Sequence, residues 1–331
     1  MTVRAWAELL RVSALFTVPG DALAGAAATG LRPDRGTALA VGASLCLYEA
    51  GMALNDWADR DEDAVDRPHR PIPSGRIAPG AALAAAGTLT AAGLGLAARA
   101  GRPALAVAAG LAATVWAYDL RLKHTPAGPA AMAAARGLDL LLGATATAAA
   151  TTGAPGPASA ADSASRGLVR GAFPAAGLLG AHTYAVTAVS RHEAQGGSTI
   201  TPLTALAATA AVGAAALRGR REPHGSDGVP TAAGRGSRAA TTHRPSVTRT
   251  APRLLLTGLT GAYFRTAAGP LLHAALNPSP PLTQRAVGGG IRAMIPLQAA
   301  LAARAGAAGT GLAVMGLVPL ARTLARKVSP T

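Results

Sequence analysis

Long apolar runs recur along almost the whole chain, and polar connectors separate them. A helix needs roughly 17–25 mostly apolar residues to cross a bilayer, and ten runs approach or reach that length. The pattern therefore predicts an all-α fold, a multi-pass transmembrane bundle of nine or ten helices that forms one domain over residues 1–331. The runs cover residues 8–29, 37–57, 78–98, 103–119, 128–150, 171–190, 199–217, 253–275, 285–303 and 307–325.

Some segments fit this pattern less well. Arg11 interrupts the first run, but further spans follow, so we predict an uncleaved first helix with an interfacial lead-in. Arg292 lies inside the ninth run, which makes that span the weakest. Residues 151–167 are irregular, and residues 218–252 are rich in Arg, Gly, Ser, Thr and Pro without periodicity. The second stretch is predicted to be a disordered basic loop.

The longer connectors indicate how the chain is oriented. Those at 58–77, 120–127 and 191–198 carry polar residues of the kinds found in functional sites. If the N-terminus is inside, all three face the cytoplasm, and their Arg and Lys residues agree with the positive-inside bias. We therefore expect a protein of the bacterial cytoplasmic membrane with its active site facing the cytoplasm.

Composition supports a membrane location. The chain is 50% hydrophobic and 14% charged, whereas about a quarter of the residues are charged in a soluble domain. Ala and Gly dominate the apolar runs, and small side chains let membrane helices approach closely. A net charge of +15 is also typical of nucleic-acid binders. Because the Arg residues lie between apolar runs, we expect no nucleic-acid partner.

An acidic motif follows the second apolar run. If that helix continues through the motif, Asn55, Asp59 and Asp63 drift by only about 40° per step, with Asp56 beside them. Asp61 points elsewhere and is predicted to be solvated. Hard oxygen ligands at this density suit Mg²⁺, which carboxylates commonly share with phosphate groups. The alternative to a metal site is an ordinary charged connector with local ion pairs.

Two arginines come directly after this motif. Arg67 and Arg70 are spaced by Pro68 and Pro71. Arginine binds phosphate oxygens with two parallel hydrogen bonds, and prolines stiffen the loop that presents it. The sequence therefore predicts a site for a divalent metal and a phosphorylated ligand at the membrane boundary.

The same residues resemble the UbiA superfamily of intramembrane prenyltransferases. The family pattern Asn-Asp-x-x-Asp-x-x-x-Asp is met in full, and the continuation Arg-Pro-x-Arg-Pro-Ile-Pro-Ser-Gly runs from Arg67 to Gly75. The segment Tyr118-Asp119-x-x-Leu122-Lys123 is similar to the end of the family's fourth helix. This resemblance implies that Tyr118 and Lys123 contact a diphosphate. The segment Arg136-Gly137-Leu138-Asp139 is similar to the family's fifth helix.

Ionisable residues inside an apolar helix are costly and are usually functional or paired. For Arg136 and Asp139 the sequence leaves open whether they pair with each other or contact a substrate.

One segment departs from the family pattern. Family members usually carry a second acidic motif, Asp-x-x-x-Asp, at the end of the sixth helix. Here only Glu193 is acidic, and Val189 stands four residues earlier. This form resembles the EboC-like branch, and it implies that Arg191 supplies part of the charge that neutralises the diphosphate. A lone histidine such as His192 is more often a polar loop residue than a general base, and the same holds for His69, His124 and His182.

The resemblance implies Mg²⁺-dependent transfer of a prenyl group from an isoprenyl diphosphate to a lipophilic acceptor, aromatic or lipid, within the membrane. The predicted metal ligands are Asp56, Asp59 and Asp63, which are also catalytic together with Glu193. The predicted diphosphate-binding residues are Asn55, Arg67, Arg70, Tyr118, Lys123 and Arg191. Two alternatives stay open. The altered second motif favours a non-catalytic prenyl-lipid binding protein, and many helices with intramembrane charges are also found in lipid transporters.

Overall fold

The computed structural model describes residues 3–149, 158–194, 196–218 and 250–320, and the regular structure in those residues is helical. Within each described range, connectors of at most twelve residues join the helices. In chain order they are α1 (Val3–Leu9), a 3-10 turn (Val12–Thr17), α2 (Pro19–Ala28), α3 (Arg35–Ala58), α4 (Arg60–Asp66), α5 (Pro79–Ala100), α6 (Arg102–Ala117), a π-helical turn (Tyr118–Leu122), α7 (Gly128–Ala149), α8 (Ala158–Arg170), α9 (Phe173–Ser190), α10 (Ile200–Leu217), α11 (Thr250–Leu276), α12 (Pro280–Arg304) and α13 (Ala308–Met315).

The sequence marks where several of these helices begin. Asp34 and Thr37 form a reciprocal capping box at the start of α3, which satisfies backbone N–H groups that the first turn leaves free. Proline occupies the first turn of α2, α5, α6, α9 and α12, where its missing N–H costs nothing. Between α5 and α6 the chain reverses at Gly101, whose φ of 131° suits glycine.

Small residues allow the central helices to approach closely. A Cβ added at Gly25 in α2 would overlap the backbone of Leu140 in α7, and one added at Gly143 in α7 would overlap the backbone of Ala22. The two glycines therefore mark a direct backbone contact between α2 and α7. Such contacts replace the hydrophobic driving force that helices lack in lipid. Around this crossing, α7 also packs against α3, α6 and α9, and α12 packs against α2, α9, α11 and α13.

The prediction of an all-α, multi-pass membrane bundle is confirmed. Within the described residues, five helices are long and apolar enough to cross a membrane: α3, α5, α6 with its π-helical turn, α10 and α12. Other predicted spans are also helical but shorter or more polar, so the count of nine or ten is approximate. The ninth span, predicted to be the weakest, is α12, which is one of these five despite Arg292.

Three details of the prediction are wrong. The first span is not continuous, because Arg11 adopts a left-handed conformation (φ 49°, ψ 46°) between α1 and the 3-10 turn. The stretch 151–167 is not wholly irregular, since α8 begins at Ala158. The basic loop predicted at 218–252 ends earlier, because α11 begins at Thr250. Residues 219–249 of that loop, like residues 321–331, lie outside the described part of the chain.

Candidate functional site

The acidic motif lies where α3 meets α4. Backbone hydrogen bonds from Asp59 N to Asn55 O (2.9 Å) and from Asp63 N to Asp59 O (2.8 Å) carry the helical course across the junction. Asp59 itself leaves helical geometry, so the assumption of one continuous helix is wrong at this residue. Asp56 and Asp63 are buried, at 4% and 2% exposure. Asp61 is 88% exposed and lies outside the site, as expected for a solvated residue.

Two arginines from the connector after α4 neutralise the buried carboxylates. Arg70 Nη1 donates to Asp63 Oδ2 at 2.6 Å and to Asp56 Oδ1 at 3.4 Å. Arg67 Nη1 donates to Asp63 Oδ1 at 3.4 Å. One guanidinium therefore bridges two carboxylates, and a cation between like charges favours their ionised form.

An ion pair holds the connector against α1. Arg76 Nη1 and Nη2 donate to the two carboxylate oxygens of Glu8 at 2.7 and 3.0 Å. This hydrogen bonding lowers the pKa of Glu8 below its ordinary value. Within the connector, Ser74 N donates to Arg70 O at 3.0 Å. The loop that presents Arg70 is therefore in contact with α1 through this exposed ion pair and is closed by its own backbone hydrogen bonds.

The π-helical turn at the end of α6 brings a second group of polar residues to the motif. Lys123 N donates to Tyr118 O at 3.0 Å, which closes the wide turn. The Lys123 side chain forms an ion pair with Asp59. Asn55 Nδ2 donates to Asp119 Oδ1 at 3.1 Å, and Asp119 is buried. Turns of this kind are frequent at functional sites, but sequence periodicity alone does not predict them.

Asp119 is not among the site residues that the sequence predicts. The available signal was its place beside Tyr118 in the pattern that resembles the family's fourth helix.

A cavity of about 230 Å³ extends from the motif between α3, α6 and α7. Asn55, Tyr118 and Asp119 line it at the end nearest the motif, and Leu111 is among the apolar residues of its middle part. Ser44 lines it at the opposite end. Because a helix rises 1.5 Å per residue, the distance along α3 from Ser44 to Asn55 is about 16 Å. The cavity is thus long, largely apolar and polar at both ends.

Buried ionic groups close its deep end. Arg136 Nη1 forms an ion pair with Asp21 of α2, and Gln298 Nε2 of α12 donates to Asp21 Oδ1 at 2.6 Å. Asp139 accepts a hydrogen bond from Ser44 Oγ. Arg136 and Asp139 both line the cavity, but each has a partner on another helix. The structure therefore favours pairing for these two residues, although the ionic partner of Arg136 is Asp21.

Arg11 is a site residue that sequence reasoning missed. Its Nη2 donates to Asp56 Oδ1 at 3.0 Å and to Asn55 Oδ1 at 3.3 Å. It also lines the cavity. In the sequence Arg11 only interrupts an apolar run, and neither spacing nor periodicity links it to a motif more than forty residues later.

The altered second motif lies at the end of α9. Glu193 is half-buried, and burial raises the pKa of its carboxyl, while the nearby Arg67 guanidinium acts in the opposite direction. Glu193 is thus close enough to Arg67 to feel its charge. Val189 is 1% exposed within the core, and Arg191 is exposed to solvent. His192 Nε2 lies 3.4 Å from the Thr201 hydroxyl, as a polar loop residue would.

His182 is not a loop residue, contrary to the sequence prediction. It is buried in the middle of α9, and its Nε2 lies 3.0 Å from Gly290 O. Because a carbonyl oxygen only accepts hydrogen bonds, Nε2 carries the proton and Nδ1 accepts from the Tyr263 hydroxyl at 3.0 Å. The histidine therefore links α9 to α11 and α12.

The predicted metal ligands divide into two groups. Asp56 and Asp63 face Arg70, whereas Asp59 faces Lys123. In the part of the chain that the structure describes, Asp59, Glu62 and His124 have ligand atoms within 4.8 Å of one another. The carboxylate oxygens of the three predicted ligands Asp56, Asp59 and Asp63 suit Mg²⁺, and each of these carboxylates is balanced by a cationic side chain that a metal would have to displace.

The fold and the site together define an integral membrane helical bundle in which acidic and basic side chains meet at one end of an apolar cavity. The family model described as "UbiA prenyltransferase family" matches residues 13–219. The chain therefore belongs to the UbiA prenyltransferase family, as its motifs predicted.

Individual relatives agree with this assignment. The digeranylgeranylglyceryl phosphate synthase of Methanopyrus kandleri is 38% identical over 129 residues, which is 38% of this chain and 46% of that protein. The match thus spans about half the length of this curated relative. Two solved structures share the fold. One, from work on digeranylgeranylglyceryl phosphate synthase in membranes, has a TM-score of 0.55 at 15% identity and covers 92% of this chain and 98% of that one. The other is the apo structure of a UbiA homologue from Aeropyrum pernix K1. It has a TM-score of 0.53 at 17% identity and covers 87% and 96%.

Proposed function

We propose that this protein transfers a prenyl group from an isoprenyl diphosphate to a lipophilic acceptor within the membrane, with Mg²⁺ as cofactor. One observation carries the proposal: the cluster of carboxylate, guanidinium and ammonium groups adjoins one end of a long, largely apolar cavity, where Arg11, Asn55 and Asp119 line it. A diphosphate ester of an isoprenoid has the same division, with a highly charged end and an apolar chain.

The chain's own residues have distinct roles in this proposal. Arg67, Arg70 and Lys123 bind the diphosphate oxygens when they exchange their carboxylate partners for the ligand. Asn55 and Tyr118 line the motif end of the cavity and contact the diphosphate there. The apolar middle part holds the prenyl chain and excludes water from the allylic cation.

Asp56, Asp59 and Asp63 would hold Mg²⁺, which neutralises the leaving diphosphate and so promotes cleavage of the allylic C–O bond. Glu193 and Arg191 take the place of the second acidic motif. Glu193 is close enough to Arg67 to feel its charge, and Arg191 supplies positive charge where other family members carry a second pair of carboxylates. We also propose that the protein lies in a bacterial cytoplasmic membrane and that its site faces the cytoplasm.

The test is incubation of the purified protein with Mg²⁺, labelled prenyl diphosphates of several chain lengths and a membrane lipid extract. The relative's name, digeranylgeranylglyceryl phosphate synthase, makes geranylgeranyl diphosphate the first donor to try. We expect pyrophosphate release and a labelled lipid, both abolished by EDTA and restored by Mg²⁺. Asp56→Asn and Asp59→Asn should lose turnover and keep their fold, with Asp61→Asn as the matched control. Full activity in both site variants would refute the metal assignment.

A non-catalytic prenyl-lipid binder is the second candidate, because Val189 is buried in the core where a carboxylate is expected. Binding of a prenyl diphosphate without Mg²⁺-dependent release of pyrophosphate, under conditions in which the protein is folded, would favour this function. A lipid transporter would instead move labelled lipid between leaflets of a vesicle without forming any product.

A further inference from the structure

The backbone of Arg11 is held in an unfavourable conformation. Among the non-glycine residues that the structure describes, only Arg11 has a positive φ, and its φ and ψ of 49° and 46° are those of a left-handed helix. Residues with a Cβ avoid this conformation. Such outliers persist where the surrounding structure requires them, and they cluster at functional sites.

The conformation turns the Arg11 side chain towards the acidic motif. It ends α1 near Leu9 and starts the 3-10 turn, and the guanidinium then reaches Asn55 Oδ1 and Asp56 Oδ1. Asp56 Oδ1 already accepts from Arg70 Nη1 at 3.4 Å. Two guanidinium groups therefore converge on a single buried carboxylate oxygen, and Arg11 is the nearer of the two, because Arg70 is shared with Asp63.

The Arg11 guanidinium is also available to a ligand. Its side chain is 38% exposed and lines the cavity at the motif. In the described part of the chain its hydrogen bonds to Asn55 and Asp56 both use Nη2, whereas a guanidinium carries five N–H donors. The remaining donors can bind an anion without a change in the backbone.

We propose that Arg11 binds the diphosphate end of the donor and, before ligand arrives, serves as the counter-cation of Asp56. This inference rests on the proposed function and adds a residue outside the sequence motifs. The two roles of Arg11 predict opposite changes in two affinities, whereas an ion pair that only stabilises the fold would not. Removing the guanidinium should weaken the binding of diphosphate, because a charge-assisted donor is lost, and should strengthen the binding of a divalent cation, because Asp56 loses a competitor.

The experiment measures these two affinities separately on the full chain in detergent. Binding of inorganic pyrophosphate in the presence of Mg²⁺ is followed by calorimetry, and binding of Mn²⁺ alone by electron paramagnetic resonance. Arg11→Asn and Arg11→Gly both remove the guanidinium and suit the left-handed backbone, while Arg11→Lys retains the charge. Arg102→Asn is the control, because it removes one exposed arginine at the far end of α6.

For Arg11→Asn and Arg11→Gly we expect pyrophosphate affinity to fall about tenfold or more, as for the loss of one hydrogen bond to a charged group. Mn²⁺ affinity should rise several-fold in the same variants. Arg11→Lys should lie between these variants and the wild type, and Arg102→Asn should match the wild type. If Arg11→Asn does not fold, Arg11→Gly makes the same comparison.

Unchanged pyrophosphate affinity, or a fall in both affinities, would overturn the role of Arg11 while leaving the proposed function intact. A wild-type protein that binds neither Mn²⁺ nor pyrophosphate would instead contradict the proposed function itself. The two failures are therefore distinguishable.

Discussion

Removing Asp21 should destabilise the protein strongly, because its carboxylate is the centre of a buried polar network. Oδ2 accepts from Arg136 Nη1, and Oδ1 accepts from Gln298 Nε2 at 2.6 Å. Asp21 has no solvent exposure, and the Arg136 side chain is 13% exposed. Asp21→Ala would leave a buried guanidinium and a buried amide without these acceptors.

The expected loss of stability in Asp21→Ala depends on the interactions that Arg136 keeps. Breaking a buried ion pair by removing one partner typically costs about 3–5 kcal/mol. Arg136 keeps a 3.3 Å hydrogen bond from Nη2 to Thr17 Oγ1 and an electrostatic interaction with Asp139. We therefore expect Asp21→Ala to lower the free energy of unfolding by about 3 kcal/mol, at the low end of that range. A neutral hydrogen bond between membrane helices is worth only about 0.6 kcal/mol on average. The loss of unfolding free energy in Asp21→Ala therefore distinguishes a charged network from neutral hydrogen bonds.

The assay is unfolding of the detergent-solubilised protein by SDS, followed by the fluorescence of its three tryptophans. Asp61→Ala, which removes an 88% exposed carboxylate, is the control and should change the unfolding free energy by less than about 0.5 kcal/mol. Asp21→Leu combined with Arg136→Met removes both charges and should recover most of the loss. A loss below about 1 kcal/mol in Asp21→Ala, or a double variant less stable than Asp21→Ala, would refute the network as an ionic one.

Three further changes test other parts of the structure. Gly143→Ala should cost about 1–3 kcal/mol, because the added methyl group meets the backbone of Ala22; an unfolding free energy equal to that of the wild type would contradict the close crossing. Tyr263→Phe should cost between about 0.6 and 1.7 kcal/mol, the range for a neutral hydrogen bond between membrane helices, because His182 Nδ1 loses its donor; an unfolding free energy equal to that of the wild type would contradict this bond. Burial raises the pKa of Glu193, so the native state holds its proton more tightly than the unfolded state. Stability should therefore fall as pH rises from the ordinary glutamate pKa through the raised one. Glu193→Gln should flatten that part of the stability–pH curve, and an unchanged curve would argue against a buried carboxyl.

Much of the fold could be predicted because long apolar runs report directly on helices. The bounds of α5 and α7 differ from the predicted spans by only a residue or two, since proline and glycine mark their starts and turns. The pattern fails where local geometry departs from a regular helix. Periodicity assumes 100° per residue, and the left-handed Arg11 and the π-helical turn at Tyr118 both break that assumption.

The candidate site also contains residues that sequence patterns predict and residues that they do not. A local sequence pattern predicts the site residues that follow one another closely in the chain, namely Asp56, Asp59, Asp63, Arg67 and Arg70. Tyr118 and Lys123 reach the site from a distant element and are predicted through their resemblance to the family's fourth helix, whereas Arg11 leaves no such pattern.

Asp21 shows why these distant partners escape prediction. In sequence it is a single acid in an apolar run, and nothing nearby indicates a partner. Its ion pair with Arg136 exists because Gly25 and Gly143 let α2 and α7 approach to backbone contact, which brings two ionisable groups together. The sequence predicts that each charge inside the membrane has a partner, because an unpaired charge is costly in lipid. Helix packing decides which residue that partner is. The lone acid Asp21 predicts that a counter-charge exists, and the crossing of the two helices identifies it as Arg136 rather than leaving Arg136 to pair with Asp139 on its own helix.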